Sequence, residues 1–217
     1  MARLYYFDGR GRGEIVRLAL AAASIPFVEE LITEREPYLK LVNGGKLLFD
    51  QLPLLEIDGK EIVQSNSIVR YIGRKYGLFG KNLDEEVRID QCYEGGRDFL
   101  SPTLPLVFMP EKDVLEGPVQ KALSKYLPIF EKIASANGTG FLVGNSLTIA
   151  DLSLLEVLLV CVEYLGITIL KDYPAVNKFY SVVTSTDGIA GFLKGPQRKR
   201  KNDKRYIEDV KRTLLWE

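Results

Sequence analysis

The 217-residue sequence contains no histidine and only two cysteines. Without an imidazole it can build no Ser-His-Asp or Cys-His nucleophile system, no histidine-ligated zinc centre and no imidazole general base. Cys92 and Cys161 are too few for a disulfide framework, which favours a reducing, cytoplasmic location. We therefore expect no metal site, and any catalytic group must come from other side chains.

The sequence also lacks an excess of charge and a long hydrophobic run. Lys plus Arg and Asp plus Glu both total 29, so no net field favours nucleic acid or an anionic membrane surface. The longest apolar-rich stretch, residues 152–162, is interrupted by Glu156 and is too short to span a bilayer. Arg10, Arg12 and Arg17 break any signal-peptide pattern. We predict a globular protein with neither nucleic acid nor a membrane as partner.

What the sequence does contain changes in character near residue 80. Up to that point short β-like runs alternate with helical stretches in the order βαβαββα, and the last two strands form a hairpin around an Asp-Gly turn. Beyond it the hydrophobic spacing predicts helices alone. We therefore predict an α/β domain over residues 1–80 and an all-α domain over residues 84–217. The predicted helices of the second domain span 84–108, 113–136, 148–165, 174–184 and 207–215.

The segment LYYFDGRGRGE, residues 4–14, joins the first predicted strand to the first helix. A strand, a glycine-rich turn and a helix are typical of a dinucleotide-binding fingerprint. The spacing here is G-x-G-x-G rather than G-x-G-x-x-G, and arginines stand where a pyrophosphate needs bare backbone. The hairpin also replaces the parallel units of such a fold. A nucleotide site is therefore disfavoured.

Four segments together resemble the cytosolic glutathione transferases over nearly the whole chain. They are LYYFDGRGRGE, DQLPLLEIDGKEIVQSNSIVRYI, FLVGNSLTIAD and the tail NDKRYIEDVKRTLLWE. The likeness is greatest to the alpha class, with the sigma and mu classes as neighbours. The resemblance implies a thioredoxin-like βαβαββα domain followed by an all-helical domain. It also implies a cytoplasmic homodimer that uses glutathione as a co-substrate and needs no cofactor.

Within this resemblance the catalytic residues correspond to Tyr6 and Arg12. The family's tyrosine hydroxyl donates a hydrogen bond to the glutathione sulfur, and the alpha-class arginine supplies a nearby positive charge. A cysteine thiol has a pKa of about 8.5, so both groups would favour the nucleophilic thiolate at neutral pH. Tyr5 is the natural control, because strand neighbours point to opposite faces. An ordinary strand tyrosine is the alternative interpretation of Tyr6.

The resemblance places glutathione against two further motifs. In QLPLLEI the family's proline is cis, Leu52 offers its backbone N–H and C=O to the cysteinyl part of glutathione, and Gln51 lies beside the glycyl end. In VQSNS, Gln64 and Ser65 stand at a helix N-terminus that attracts the γ-glutamyl carboxylate. The alternatives are that Pro53 merely begins a strand and that Ser65 is an ordinary N-cap.

One position departs from the alpha class. The arginine that the class places near the glycyl carboxylate corresponds to Val42 in this sequence. Lys46 or Lys40 is the candidate substitute, and a lysine would act as a less directional point charge than a guanidinium. The departure bears on affinity for the glycyl end of glutathione rather than on the reaction.

Three residues are implied in assembly. Asp98 corresponds to an acid that reaches the glutathione amine in the partner subunit, and Lys125 occupies a position that is often basic in that network. Phe49, in LLFDQ, matches the aromatic key that alpha-class subunits insert between helices of their partner. Burying its ring would stabilise the pair by about 2 kcal/mol or more. We therefore predict a homodimer.

The electrophile is predicted to bind an apolar wall closed by the tail. We interpret the tail as an amphipathic lid helix with Ile207, Val210 and Leu214 over the pocket, although aliphatic residues at this spacing are as often core. The basic run RKRKNDKR before it is interpreted as a solvated connector. The predicted contacts of the electrophile are Phe7, Gly9, Leu104, Leu106, Val107, Leu214 and Trp216.

The segment SLTIAD predicts a capping box. Thr148 would cap a helix and Asp151 would reach back to it, which is a structural rather than a catalytic role. The function implied is transfer of the glutathione thiolate to small hydrophobic electrophiles. Glutathione-dependent isomerisation or peroxide reduction would use the same thiolate. A non-catalytic ligand carrier or a crystallin-like structural protein is the alternative outside enzymes.

Overall fold

The computed structural model describes residues 1–215, and it begins with a four-stranded mixed sheet. The sheet and its helices occur in the predicted order βαβαββα, and the later elements are helical, so the predicted fold class is confirmed. The elements of the first part are β1 Ala2–Tyr6, α1 Glu14–Ala22, β2 Phe27–Leu31, α2 Arg35–Asn43, β3 Leu54–Ile57, β4 Lys60–Val63 and α3 Ser65–Lys75.

The sheet has the strand order β2-β1-β3-β4. β1 runs parallel to β2 and antiparallel to β3, and β3 and β4 form a hairpin. Asp58 and Gly59 turn this hairpin with φ angles of +54° and +70°, as a two-residue turn with the strands' own twist requires. β1 thus lies inside the sheet between β2 and β3, and it ends at Tyr6.

The second part consists of helices packed around α7, which is buried along most of its length. Its neighbours α1 and α3 belong to the first part, so one continuous apolar core joins both parts. Among residues 1–215, no helix combines the length and apolar character needed to cross a bilayer. The helices are α4 Leu83–Leu100, α5 Glu111–Val114, α6 Gln120–Asn137, α7 Ile149–Leu165, α8 Pro174–Thr184, α9 Asp187–Lys194 and α10 Lys204–Leu214.

Two predicted helices are interrupted where prolines remove backbone donors. The predicted helix 84–108 ends at Leu100 and continues as 3₁₀ turns over Ser101–Val107, which contain Pro102 and Pro105. The predicted helix 113–136 is split by a π-helical segment, Leu115–Val119, that contains Pro118. A proline lacks the N–H that α-helix propagation needs. The second half is thus helical as predicted, but with looser segments beside the cavity described below.

The final helix begins earlier than predicted. α10 starts at Lys204 rather than at residue 207, because the Asp203 side chain accepts a hydrogen bond from the Tyr206 N–H (3.1 Å) and caps the first turn. α9 was not predicted at all. The earlier start brings Tyr206 onto the buried face of α10, while Ile207 is only partly buried.

The basic run before α10 is not the solvated connector that its composition indicated. The side chains of Arg198 and Lys199 are each only 14% exposed. Arg198 forms an ion pair with Glu14, and Lys199 lies 2.9 Å from Glu29. Its acidic partners are separated from it by most of the sequence, so local composition could not reveal them. The run fastens the tail to the turn that follows β1.

Candidate active site

A cavity of about 550 Å³ lies between the sheet and the helices, at the C-terminal end of β1. It collects most of the residues proposed from the sequence: Tyr6, Phe7, Arg12, Gln51, Leu52, Pro53, Gln64, Ser65, Leu104, Leu106, Val107 and Leu214. Gly9, Lys46, Asp98 and Lys125 are not among its lining residues, and Trp216 lies outside the residues that the structure describes.

Tyr6 is the last residue of β1, and its side chain is buried in the cavity wall with 5% exposure. Its phenolic oxygen accepts a hydrogen bond from the backbone N–H of Arg12 (2.7 Å). Burial raises the pKa of Tyr6, and the Arg12 hydrogen bond opposes that shift. Tyr5 points to the opposite face, where its hydroxyl donates to Glu56 (3.0 Å). Of these two tyrosines, Tyr6 is therefore the one that lines the cavity.

The turn after β1 explains the alternation of arginine and glycine in GRGRG. Gly11 has a φ of +40°, and a side chain there would collide with the Tyr6 hydroxyl. A Cβ at Gly13 would press into the ring of Tyr6, 2.8 Å from its Cγ. The glycines therefore allow the backbone to wrap closely around the phenol. This close approach places the Arg12 N–H on the phenolic oxygen.

The three nearby arginines have different roles. Arg17 is fully buried and binds Glu29 (2.6 Å) and Glu14 (3.1 Å), so its charge is compensated within the fold. Arg10 forms a two-bond ion pair with Glu163 (2.5 and 3.0 Å). Arg12 lines the cavity, and within residues 1–215 its guanidinium has no ion pair or side-chain hydrogen bond. Of the three, Arg12 is therefore the one that is available to an anionic ligand.

The second wall is a segment of exposed backbone followed by a helix N-terminus. The Leu52–Pro53 peptide bond is cis. Gln64 donates a hydrogen bond to Gln51 (3.1 Å) and adopts a φ of +67°, a strained conformation that proteins concentrate at functional sites. α3 begins at Ser65, so Ser65 is the first helical residue, and the alternative that it is an ordinary N-cap is wrong. The free N–H groups of its first turn face the cavity and can bind a carboxylate.

Lys46 lies away from this cavity. Its ammonium group binds Glu56 (2.5 Å) and Glu61 (2.9 Å), and these hydrogen bonds raise its pKa. Val42 packs in a small apolar cluster on the same side of the sheet. A role for Lys46 at the glycyl end of glutathione stays a prediction, and it would require both ion pairs to open.

The residues proposed for assembly lie on the surface. Asp98 and Lys125 are exposed, and Lys125 donates to the hydroxyl of its neighbour Tyr126 (3.0 Å). Phe49 is 58% exposed beside Leu48, which is 76% exposed. The structure brings none of them to the cavity of their own chain. Their action across a dimer stays a prediction.

The apolar wall contains an aromatic residue that we did not predict. Tyr206 lines the cavity on the inner face of α10, together with Val210 and Leu214. These three positions follow the spacing i, i+4, i+8, which would have identified Tyr206 had the helix start been placed correctly. Gly9 contacts Tyr206 rather than the cavity, and a Cβ at Gly9 would overlap the Tyr206 ring.

Comparison with known families agrees with this geometry. The model of the glutathione S-transferase N-terminal domain matches residues 2–74, and that of the C-terminal domain matches residues 97–196. Glutathione S-transferase A4 of Mus musculus is 42% identical over 99% of this chain and 98% of its own length. Glutathione S-transferase alpha-4 of Rattus norvegicus is also 42% identical, over 98% and 97% of the two chains.

A solved structure shows the same architecture. Monomeric Na-GST-3, a glutathione S-transferase of the hookworm Necator americanus, superposes with a TM-score of 0.79 at 28% identity. The match covers 92% of this chain and 98% of that one. The chain therefore belongs to the glutathione S-transferase family. The predicted resemblance to the alpha class is confirmed by its curated relatives.

Proposed function

We propose that the protein transfers the glutathione thiolate to small hydrophobic electrophiles, with Tyr6 and Arg12 stabilising the thiolate. One observation carries the proposal. Tyr6 and Arg12 line one cavity, beside Leu52 and the start of α3, and the Arg12 guanidinium has no ion pair among residues 1–215. A hydroxyl that donates to sulfur and a neighbouring cation both favour the charged form of a thiol.

Tyr6 and Arg12 together can supply the free energy that is needed to lower the pKa of the glutathione thiol. A free cysteine thiol has a pKa of about 8.5, and lowering it by two units requires about 2.7 kcal/mol. A hydrogen bond to a charged group contributes about 1.5–3 kcal/mol. The Arg12 charge in a partly buried cavity supplies the remainder. No base is needed in this scheme, which suits a sequence without histidine.

Glutathione would be held by backbone and helix rather than by a cofactor. In this proposal Leu52 pairs its N–H and C=O with the cysteinyl unit, and the first turn of α3, with Gln64 and Ser65, binds the γ-glutamyl carboxylate. Gln51 would contact the glycyl end. Glutathione is thus a co-substrate, and the proposal invokes no cofactor.

The electrophile would bind against the apolar wall. Leu104, Leu106 and Val107 come from the 3₁₀ segment after α4. Phe7, directly after β1, and Leu214, at the end of α10, line the same cavity. Isomerisation or peroxide reduction at the same thiolate remains the alternative reaction. A carrier or crystallin-like role is disfavoured, because such a protein would not need an arginine in the cavity wall beside a buried phenol.

A chlorodinitroarene tests the proposed reaction. The thiolate adds to the ring carbon that bears chlorine and chloride leaves, so absorbance of the conjugate reports turnover directly. We expect turnover with glutathione and none with S-methylglutathione, in which the thiol is blocked by methylation. Glutathione binding without conjugation of the arene, without isomerisation of a substrate and without reduction of an organic peroxide would instead support a non-catalytic ligand carrier.

We further propose that the protein is a cytoplasmic homodimer. Phe49 and Leu48 form an exposed apolar projection that a partner would cover, and Asp98 and Lys125 would then contact glutathione in the partner subunit. Both cysteines are free, which suits a reducing compartment.

Phe49→Ala is expected to weaken this dimer by about tenfold or more, because a buried aromatic anchor is lost. Sedimentation velocity across micromolar concentrations measures the change. Ile167→Ala removes another exposed apolar side chain, 48% accessible, and should leave the dimer intact. A wild-type protein that sediments only as a monomer would contradict the assembly.

A further inference from the structure

Tyr206 is held in place by contacts on every side of its ring. It is 6% exposed, and its ring stands edge-on to Phe7 with 6.3 Å between centroids. Its backbone N–H is capped by Asp203 (3.1 Å). Gly9 lies directly beneath the ring, since a Cβ there would overlap it. The side chain therefore has little freedom to turn elsewhere while α10 is docked.

The hydroxyl of Tyr206 meets the hydroxyl of Tyr6. Both converge over Gly11, where an added Cβ would lie 2.7 Å from the Tyr206 oxygen and closer still to the oxygen of Tyr6. The two phenolic oxygens therefore lie beside the same point of the turn. The Arg12 N–H approaches the same Tyr6 oxygen (2.7 Å). An N–H from the turn and a hydroxyl from α10 thus lie beside one phenolic oxygen.

We propose that Tyr206 is a positioning residue for the reaction, and that its hydroxyl orients the Tyr6 proton toward the glutathione sulfur. A phenol has one O–H to donate and accepts through its oxygen lone pairs. When the Arg12 N–H and the Tyr206 O–H occupy the acceptor side of Tyr6, its own proton can point only into the cavity. Tyr206 would also strengthen Tyr6 as a donor, because accepted hydrogen bonds polarise the O–H.

Burial is the main cause of the pKa shifts of both phenols. Burial raises the pKa of both phenols, and the interaction with Tyr6 raises that of Tyr206 further. Hydrogen bonds from Arg12 and Tyr206 act in the opposite direction on the pKa of Tyr6. The Arg12 N–H thus favours the phenolate of Tyr6, and in the proposed arrangement the Tyr206 hydroxyl would do the same.

This arrangement links the tail to the thiolate. α10 is fastened beside the active-site turn by the Asn202 side chain, which accepts from the Arg10 N–H (2.9 Å). At its other end Arg212 donates to the Thr33 carbonyl (2.8 Å). Docking of α10 thus delivers the Tyr206 hydroxyl to Tyr6. Closure over the electrophile and activation of the thiol become one event, and this rests on the proposed function.

Ionisation of Tyr6 in the ligand-free enzyme tests the contact without glutathione. Phenolate formation is followed by ultraviolet difference spectroscopy, and the titration of Tyr6→Phe is subtracted from that of the wild type to isolate Tyr6. Subtracting the titration of the double variant Tyr6→Phe/Tyr206→Phe from that of Tyr206→Phe isolates Tyr6 in the absence of the Tyr206 hydroxyl. The midpoint of Tyr6 should then be higher than in the wild type, because a donor to its phenolate is lost. An unchanged midpoint would overturn the proposal whatever the enzyme's reaction proves to be.

The pKa of the bound glutathione thiol tests the consequence. Tyr206→Phe keeps the ring, so we expect unchanged glutathione affinity and a raised pKa of the bound thiol. At pH values below that pKa, turnover of the chlorodinitroarene should fall about two- to tenfold. In the Tyr6→Phe background the same substitution should have no further effect. A loss confined to carbonyl electrophiles, or an additive loss in the double variant, would show that Tyr206 acts on the electrophile instead of on Tyr6.

Discussion

Tyr6→Phe is expected to lower turnover of a chlorodinitroarene by about ten- to a thousandfold while leaving the glutathione dissociation constant nearly unchanged. The substitution keeps the ring that packs against Phe7 (5.3 Å between centroids) and removes only the hydroxyl. The thiolate would lose its oxygen donor, and the Arg12 charge alone would remain. Steady-state kinetics and a titration of bound glutathione measure the two quantities separately.

The pH dependence identifies the cause of that loss. If the hydroxyl acts by stabilising the thiolate, the pKa of bound glutathione rises in Tyr6→Phe, and the rate deficit shrinks as pH increases past the new value. Tyr5→Phe is the matched control, because it removes a hydroxyl one residue away on the other face of β1, where it donates to Glu56. Equal losses in the two variants would contradict the assignment of Tyr6.

The features that local sequence predicted correctly are those that depend on near neighbours. Strand alternation places Tyr6 and Tyr5 on opposite faces, and the family resemblance selects Tyr6. Asp58 and Gly59 supply the two positive φ angles that a tight hairpin needs. The capping box of Thr148 and Asp151 is likewise written within four consecutive residues, and the structure confirms it. In each case the physical constraint and the residues that satisfy it are adjacent in the chain.

The features that the sequence concealed depend on partners far apart in it. Arg198 is part of a basic run, and only the fold reveals that Glu14 compensates its charge. The three arginines after β1 look alike in sequence, yet Glu163 binds Arg10 and Glu29 binds Arg17, while no acid in the described part of the chain pairs with Arg12. Tyr206 was missed for a smaller reason, since its position depended on where Asp203 begins α10.

Asp151 is the site at which one substitution should most reduce stability. It is fully buried, and one carboxylate oxygen accepts from the Leu142 N–H (2.8 Å). The other accepts from the N–H (2.7 Å) and hydroxyl (3.0 Å) of Thr148. The carboxylate thus joins the loop before α7 to the first turn of that helix. Ile149, at the start of α7, in turn donates to the carbonyl of Leu78 (2.9 Å), which belongs to the segment after α3.

Asp151→Ala is expected to lower the free energy of unfolding by about 3 kcal/mol or more, because two buried N–H groups lose their acceptor and each costs about 1–3 kcal/mol unpaired. Urea unfolding followed by circular dichroism measures the change. Asp187→Ala, which removes an exposed acid from the first turn of α9, should cost less than about 1 kcal/mol through the helix dipole alone. Since Asp151 lies outside the cavity lining, the folded fraction of the variant should retain glutathione affinity. A loss no larger than that of Asp187→Ala would show that the buried hydrogen bonds of Asp151 do not hold α7 in place.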